Sequence, residues 1–250
     1  MTSLYVIGLG FSGLAIANRA REAGWKVSGS VTSAEKAARL GAEIAEVLSP
    51  ASEKLRTATH VLSTVPPEPS GDPVLSVVRQ AKPKWFGYLS TTGVYGDRGG
   101  AWVDETAAPD PGQARSRHRL EAEQAWQALA RERGVPLDIF RLPAIYGPGR
   151  SALDQVREGR AQCIDKPGQV FCRVHVEDIA LTADHRNETT GKRALIDDRH
   201  AVQPEPLHLT ASGRPLGHDR ETDCLDVFRI GQLRTQLHRT VAELDERVAH

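Results

Sequence analysis

Apolar and polar positions alternate in a way that switches between strand and helix periods over the first part of the chain. Leu4 to Ile7 is an unbroken apolar run of strand length, and it passes through Gly8-Leu9-Gly10-Phe11-Ser12-Gly13 into an Ala-rich stretch of helical spacing. That stretch predicts a helix from Gly13 to about Ala23, with Gly24 as its C-cap and a second strand over Trp25–Val31. A short helix is expected over Ser33–Leu40 and a third strand over Ala42–Val47. His60–Val65 reads as the fourth strand, stopped by Pro66-Pro67, which cannot continue a ladder of hydrogen bonds. A helix near Pro73–Gln80, a fifth strand at Trp85–Leu89, a long helix from about Arg115 to Arg133 and a sixth strand ahead of Arg141 complete the regular part. Strands and helices alternating at this spacing predict an α/β protein with a doubly wound parallel sheet. Ligands in such sheets bind beyond the carboxyl ends of the strands. The ends of interest are therefore Gly8–Gly13, Thr64–Pro67 and Ser90–Tyr95.

The first of these ends carries chemistry of its own. Gly8 permits a tight turn off the strand, Gly10 lets a diphosphate approach the backbone with no Cβ in the way, and Gly13 lets the helix pack close to the strand. The free N–H groups and the positive end of that helix, at Phe11, Ser12 and Gly13, then face phosphate oxygens. This is the opening of a Rossmann-type dinucleotide site, with Thr64, Val65 and Pro66 expected along the same cofactor. At the end of the second strand an NAD site tends to place a carboxylate for the ribose 2′-hydroxyl. Here Ser30, Thr32 and Ser33 stand instead, with Lys36 and Arg39 on the next helix, which suits a 2′-phosphate and favours NADP over NAD. Lys36 and Arg39 as a solvated helix face is the competing reading, and it leaves NAD open. Gly10-Phe11-Ser12-Gly13-Leu14 also resembles the opening of flavin-dependent monooxygenases, but the Glu expected at the end of their second strand is absent and the chain is short for them.

Four later stretches carry a more specific resemblance. Ser90-Thr91-Thr92-Gly93-Val94-Tyr95-Gly96 follows the fifth strand, and Leu120-Glu121-Ala122-Glu123-Gln124-Ala125 lies within the long helix. Arg141-Leu142-Pro143-Ala144-Ile145-Tyr146-Gly147-Pro148-Gly149 and His175-Val176-Glu177-Asp178-Ile179-Ala180 come after the sixth strand. In this order and spacing they resemble the extended short-chain dehydrogenase/reductases, the nucleoside-sugar epimerase and dehydratase group. The resemblance implies hydride transfer at C4 of a nicotinamide on a small polar or sugar- or nucleotide-linked substrate. It also implies a homodimer made through the helices after the fourth and fifth strands.

By motif position the substrate-polarising hydroxyl falls on Thr91, which could donate to a carbonyl oxygen or the alkoxide formed from it. Its alternative is to satisfy backbone groups at the strand end. The family's Tyr-x-x-x-Lys pair is missing: Arg115 stands at the Tyr position and Arg119 at the Lys position. Arginine stays protonated at ordinary pH and cannot act as a general acid/base here. Tyr95 and Tyr146, both at strand ends, are the phenols left to substitute. Arg115, Arg119 and Arg141 are candidates for an anionic substrate, Arg141 and Tyr146 bracketing a loop that lines the pocket in this family. The competing reading of Arg115 and Arg119 is a solvated face paired with Glu121 and Glu123. Because the acid/base pair is lost, a non-catalytic dinucleotide sensor or regulatory protein remains an alternative to an oxidoreductase or epimerase. A damaged, inactive homologue is a third.

The totals narrow the partners. Lys and Arg number 32 against 32 Asp and Glu, so the formal net charge is zero and nothing favours nucleic acid or an anionic membrane. Cys163, Cys172 and Cys224 lack metal-ligand spacing, and no metal is expected. With no apolar run of membrane length and no basic leader ahead of the first strand, a soluble cytoplasmic protein is the expectation. The character changes near His185: six of the nine histidines lie from there to His250, and Asn187–Asp223 shows no apolar period. Two regions are therefore expected, a dinucleotide domain over 1–185 that includes part of the substrate pocket, and a divergent segment over 186–250. For that segment a divergent substrate lobe, a disordered tail and a stretch out of the ancestral frame all stay open, with Arg193–Ile196 a candidate strand and Val227–Val248 a candidate amphipathic helix.

Overall fold

A computed structural model describes residues 2–162 and 170–185. In chain order the elements are β1 (Ser3–Ile7), α1 (Phe11–Glu22), β2 (Lys26–Val31), α2 (Ala34–Leu40), β3 (Ala45–Val47), α3 (Glu53–Thr57), β4 (His60–Ser63), α4 (Leu75–Val78) and β5 (Trp85–Thr91). A 3₁₀ turn (Thr92–Tyr95) follows, then α5 (Ala114–Arg133), β6 (Leu137–Leu142), β7 (Ala144–Tyr146), α6 (Ala152–Arg157), β8 (Arg173–His175) and α7 (Val176–His185). The elements named here belong to one compact unit. The readings of 186–250, including Arg193–Ile196 and Val227–Val248, lie outside the described residues.

Six strands form one parallel sheet in the order β3-β2-β1-β4-β5-β6, and β7 pairs in parallel with β8 in a second. The strand order reverses between β1 and β4, so the crevice of this Rossmann-like sheet opens at their carboxyl ends. β1 shows why its apolar run is continuous. Leu4 and Val6 face one layer, with Ile16, Ala17 and Ala20 of α1 and Ile179, Ala180 and Ala183 of α7. Tyr5 and Ile7 face the other, with Val61, Phe86, Tyr88, Trp126 and Leu129. A strand covered on both faces has no polar alternation to show. Alanines in the α1 and α7 stripes let the helices sit close to the sheet and to each other.

Several boundaries move. α1 begins at Phe11, two residues before the expected Gly13, because Gly10 serves as its N-cap. Ser33 is the N-cap of α2, its hydroxyl accepting from Lys36 N–H, so that helix starts at Ala34. β3 keeps only Ala45–Val47 of the expected Ala42–Val47, and α4 only Leu75–Val78 of Pro73–Gln80. The helix α3, Glu53–Thr57, is absent from the sequence reading; five residues are too few to display a helical period, and its start rests on the Ser52 hydroxyl, which accepts from Leu55 N–H. β5 runs on to Thr91. Arg141 belongs to β6 and Tyr146 to β7, so the expected loop between them is a single break at Pro143 between two strands.

Candidate dinucleotide and active site

The turn after β1 is built from its three glycines. Gly8 sits at φ +95°, and a Cβ there would meet Thr64 Oγ1 at 2.6 Å and Val65 Cγ2 at 3.1 Å. The Gly8 carbonyl accepts from Gly10 N–H (2.7 Å) and from Thr64 Oγ1 (2.7 Å), which ties the end of β4 to the turn. Gly8 N–H donates to Ser30 Oγ and Leu9 N–H to the Ser30 carbonyl, which ties in the end of β2. A Cβ on Gly13 would lie 2.2 Å from the Gly8 carbonyl oxygen, so α1 can press against the turn only with glycine there. Gly10 differs: a Cβ on it would meet nothing within 4 Å. Its missing side chain is open space beside the helix end.

That end is also electrostatically unfilled. No side chain caps α1, and its first turn holds no acidic residue. The N–H groups left without a side-chain cap and the helix dipole thus present partial positive charge to the space beside Gly10. At the end of β2, Thr32 is exposed and Lys36 half-buried, and Lys36 has no ion-pair partner among the described residues. Val65 is half-buried beside the turn and Pro66 exposed beyond it. An uncapped helix end, a cradle that a side chain would fill, and cations without carboxylates suit a dinucleotide with phosphate groups.

The end of β5 is arranged differently. Thr91 caps the 3₁₀ turn, its hydroxyl accepting from Gly93 N–H at 3.1 Å. As an acceptor there, the hydroxyl still has its own proton to donate. One residue earlier, the Ser90 hydroxyl is hydrogen-bonded to Glu123 Oε1. Glu123 is fully buried and takes Arg141 on both carboxylate oxygens, with Nη2 to Oε2 at 2.7 Å and Nε to Oε1 at 3.1 Å. Burial alone would lower the Arg141 pKa, but the bonded carboxylate outweighs it and raises the guanidinium above its ordinary value. The guanidinium carbon lies 4.7 Å over the Tyr95 ring. Tyr95 is itself buried, and its hydroxyl has no hydrogen-bond partner among the described residues.

Arg119 faces the neighbouring strand ends. Its Nη1 donates to the Tyr88 hydroxyl (3.0 Å) and to the carbonyls of Leu89 (3.1 Å) and Val65 (3.4 Å). Burial pushes the Tyr88 hydroxyl up to about 12, against the pull of that cation. Trp126 stacks on Tyr88 and donates its indole N–H to Asp72, whose carboxyl burial raises. Tyr146 is half-buried with its ring edge-on to His175 at 5.0 Å, and Arg115 is exposed on the first turn of α5. The fold therefore brings Arg119 to Val65 and Arg141 to Tyr95, and leaves Arg115 apart from both.

Glu123 and Ser90 escaped the sequence reading. Glu123 does not lie on a solvated face with the arginines; it shares the inward face of α5 with Ala122, Trp126, Leu129 and Ala130. A carboxylate in register with an apolar stripe was the signal, since a buried charge needs a partner. Among the described residues, no cluster of His, Cys, Asp or Glu side chains is placed to hold a metal, and no helix is long and apolar enough to cross a membrane.

Comparison with known proteins bears on the fold and on residues 71–166. Residues 71–166 match the NAD dependent epimerase/dehydratase family. Protein YeeZ of Escherichia coli (strain K12) is 30% identical over 172 residues, covering 60% of this chain and 61% of its own length. The chain thus spans less than two thirds of that curated relative. A functionally unknown conserved protein from Silicibacter pomeroyi DSS is 36% identical at a TM-score of 0.69, covering 78% of this chain and 71% of its own. UDP-glucuronic acid 4-epimerase from Bacillus cereus, solved with UDP-glucuronic acid and NAD, shares the fold at a TM-score of 0.62 and 18% identity over 78% of this chain and 77% of its own. Residues 71–166 thus carry the match to the NAD dependent epimerase/dehydratase family, on a Rossmann-like sheet whose strand order switches beside the glycine turn.

Proposed function

We propose that this protein binds a nicotinamide dinucleotide with its diphosphate over Gly8, Gly10, Phe11, Ser12 and Gly13, and acts on a small polar or nucleotide-sugar-linked substrate at the end of β5. The observation that carries the reading is the open space at Gly10 against the uncapped end of α1. Thr32, Ser33 and Lys36 lie where the adenosine ribose falls, and the lack of a carboxylate favours NADP there. Thr64, Val65 and Pro66 follow the cofactor toward its nicotinamide, which supplies hydride chemistry when bound. Solved with UDP-glucuronic acid and NAD, the Bacillus cereus neighbour supports the substrate class. A homodimer through the exposed faces of α4 and α5 is the assembly this reading carries.

Within the chain, Thr91 has a proton to offer a substrate oxygen, and Tyr146 is the phenol with part of its surface accessible. Tyr95 needs a rearrangement of its buried hydroxyl before it can exchange a proton. Arg115 is free to meet an anionic substrate, whereas Arg119 and Arg141 act mainly by holding the strand ends in place. A second reading, a dinucleotide sensor without turnover, is favoured by one observation: the helix position of the family's tyrosine holds the exposed Arg115.

Calorimetric titration with NADPH and NADH tests the site. Binding of either is expected, with NADPH tighter and the preference removed by Lys36→Ala; equal affinities end the NADP assignment. Turnover of bound nucleotide against a panel of sugar nucleotides and carbonyl compounds separates the enzyme from the sensor. Loss of that turnover in Tyr146→Phe, with binding retained, places the proton at Tyr146.

A further inference from the structure

Arg150 has no part in any role described so far. The turn Gly147–Arg150 is closed by a backbone bond in each direction, Gly147 N–H to the Arg150 carbonyl (3.2 Å) and Arg150 N–H to the Gly147 carbonyl (2.9 Å). Gly147 is pressed against its neighbours: a Cβ on it would lie 2.7 Å from Val176 Cγ1 and 3.1 Å from Phe11 Cζ. The turn is thereby fixed against the first residue of α1. From it the Arg150 guanidinium stands 5.4 Å over the Phe11 ring.

A cation held beside the positive end of a helix is unfavourable by itself. Nothing in the described residues neutralises it. The nearest acid along the chain, Asp154, accepts from Ser151 N–H and Oγ in the capping box of α6 and lies 3.8 Å from Arg157. Arg150 is exposed, so its guanidinium keeps its fork of donors for a group from outside. An arginine fixed at its backbone, stacked on a ring and left without a carboxylate matches the bidentate recognition of phosphate oxygens.

We propose that Arg150 is a diphosphate-recognition residue, closing over the Phe11 side of the Gly8–Gly13 turn and pairing with phosphoanhydride oxygens. It rests on the dinucleotide reading above for the position of the anion. The diphosphate is either the dinucleotide's own or that of a nucleotide-linked substrate beside it, and the two are separable.

Calorimetric titration of the full chain with NADPH, NADH and UDP decides among the outcomes. In R150A the tighter dinucleotide weakens about tenfold. R150K recovers part of the loss, since a point charge lacks the fork. R157A, an exposed arginine on the same segment, binds as the unaltered protein does. Weakening of UDP alone, with the dinucleotide untouched, upholds the proposal and identifies the substrate's diphosphate as the partner. Equal affinities of R150A and the unaltered protein for all three probes, at unchanged melting temperature, overturn it and leave the dinucleotide site standing. If the unaltered protein binds none of the probes, the dinucleotide site fails and the proposal fails with it.

Discussion

The turn after β1 and the end of β5 lie at the carboxyl edge of one sheet, yet they treat polar groups in opposite ways. At the turn, the amino end of α1 has no cap, no acid and open space where a Gly10 side chain would stand. At the end of β5, Ser90, Thr91, Glu123, Arg141 and Arg119 are already bonded to one another or to the backbone. The first region has binding capacity that the protein does not use internally. In the second, most of that capacity holds β5, β6 and α5 together. The proposed phosphate site and the end of β5 therefore rest on different residues and different backbone, so a substitution in one can be read without disturbing the other.

The largest expected effect falls on the saturated region. Glu123→Ala strips the half-buried Arg141 of its carboxylate partner and the Ser90 hydroxyl of its acceptor, and is expected to lower stability by about 2–3 kcal/mol in urea unfolding. A loss below about 1 kcal/mol, the range of surface pairs, would show that the network is solvated and the contrast false. Next comes a pair of glycine substitutions that should separate fold from binding. Gly13→Ala puts a Cβ 2.2 Å from a backbone oxygen and should cost about 1–3 kcal/mol as well as dinucleotide affinity. Gly10→Ala meets nothing and should cost no more than about 1 kcal/mol, from the poorer N-cap, while abolishing dinucleotide binding in calorimetry. If Gly10→Ala binds normally, the space beside it is not the phosphate site.

The smallest effect is a pH slope far from either region, and it serves as a control. His60 stands between the rings of Trp25 and Trp85, and burial holds its pKa below the ordinary 6.5. The unfolded chain then takes up this proton more readily than the folded one. Its contribution to stability is whole above pH 6.5 and declines as the pH falls below that value. Comparing urea unfolding of His60→Gln with the unaltered protein on both sides of that pH should show a flatter profile in the variant, with dinucleotide binding equal in both.

How far the site was legible follows the same division. The glycine turn could be read residue by residue, because each glycine answers a local demand: a positive φ at Gly8, an approach at Gly10, a helix contact at Gly13. The order of strands and helices was also legible from period alone. The Glu123–Arg141 pair was not, since its partners are 18 residues apart on different elements and each resembles a surface residue when taken singly. Arg150 was missed for a similar reason: its closeness to Phe11 spans most of the described chain.

By itself the sequence determined the alternation of strand and helix, the parallel sheet and the glycine turn after β1, all of which follow from apolar spacing and from glycines whose demands are local. Only the tertiary structure decided which charges are available. Burial makes an ion outside a partner's reach costly, so folding brought Glu123, Arg141 and Ser90 into one internal network and left Arg150 and the end of α1 facing outward. That sorting depends on distances between residues far apart in the chain, which no local pattern contains.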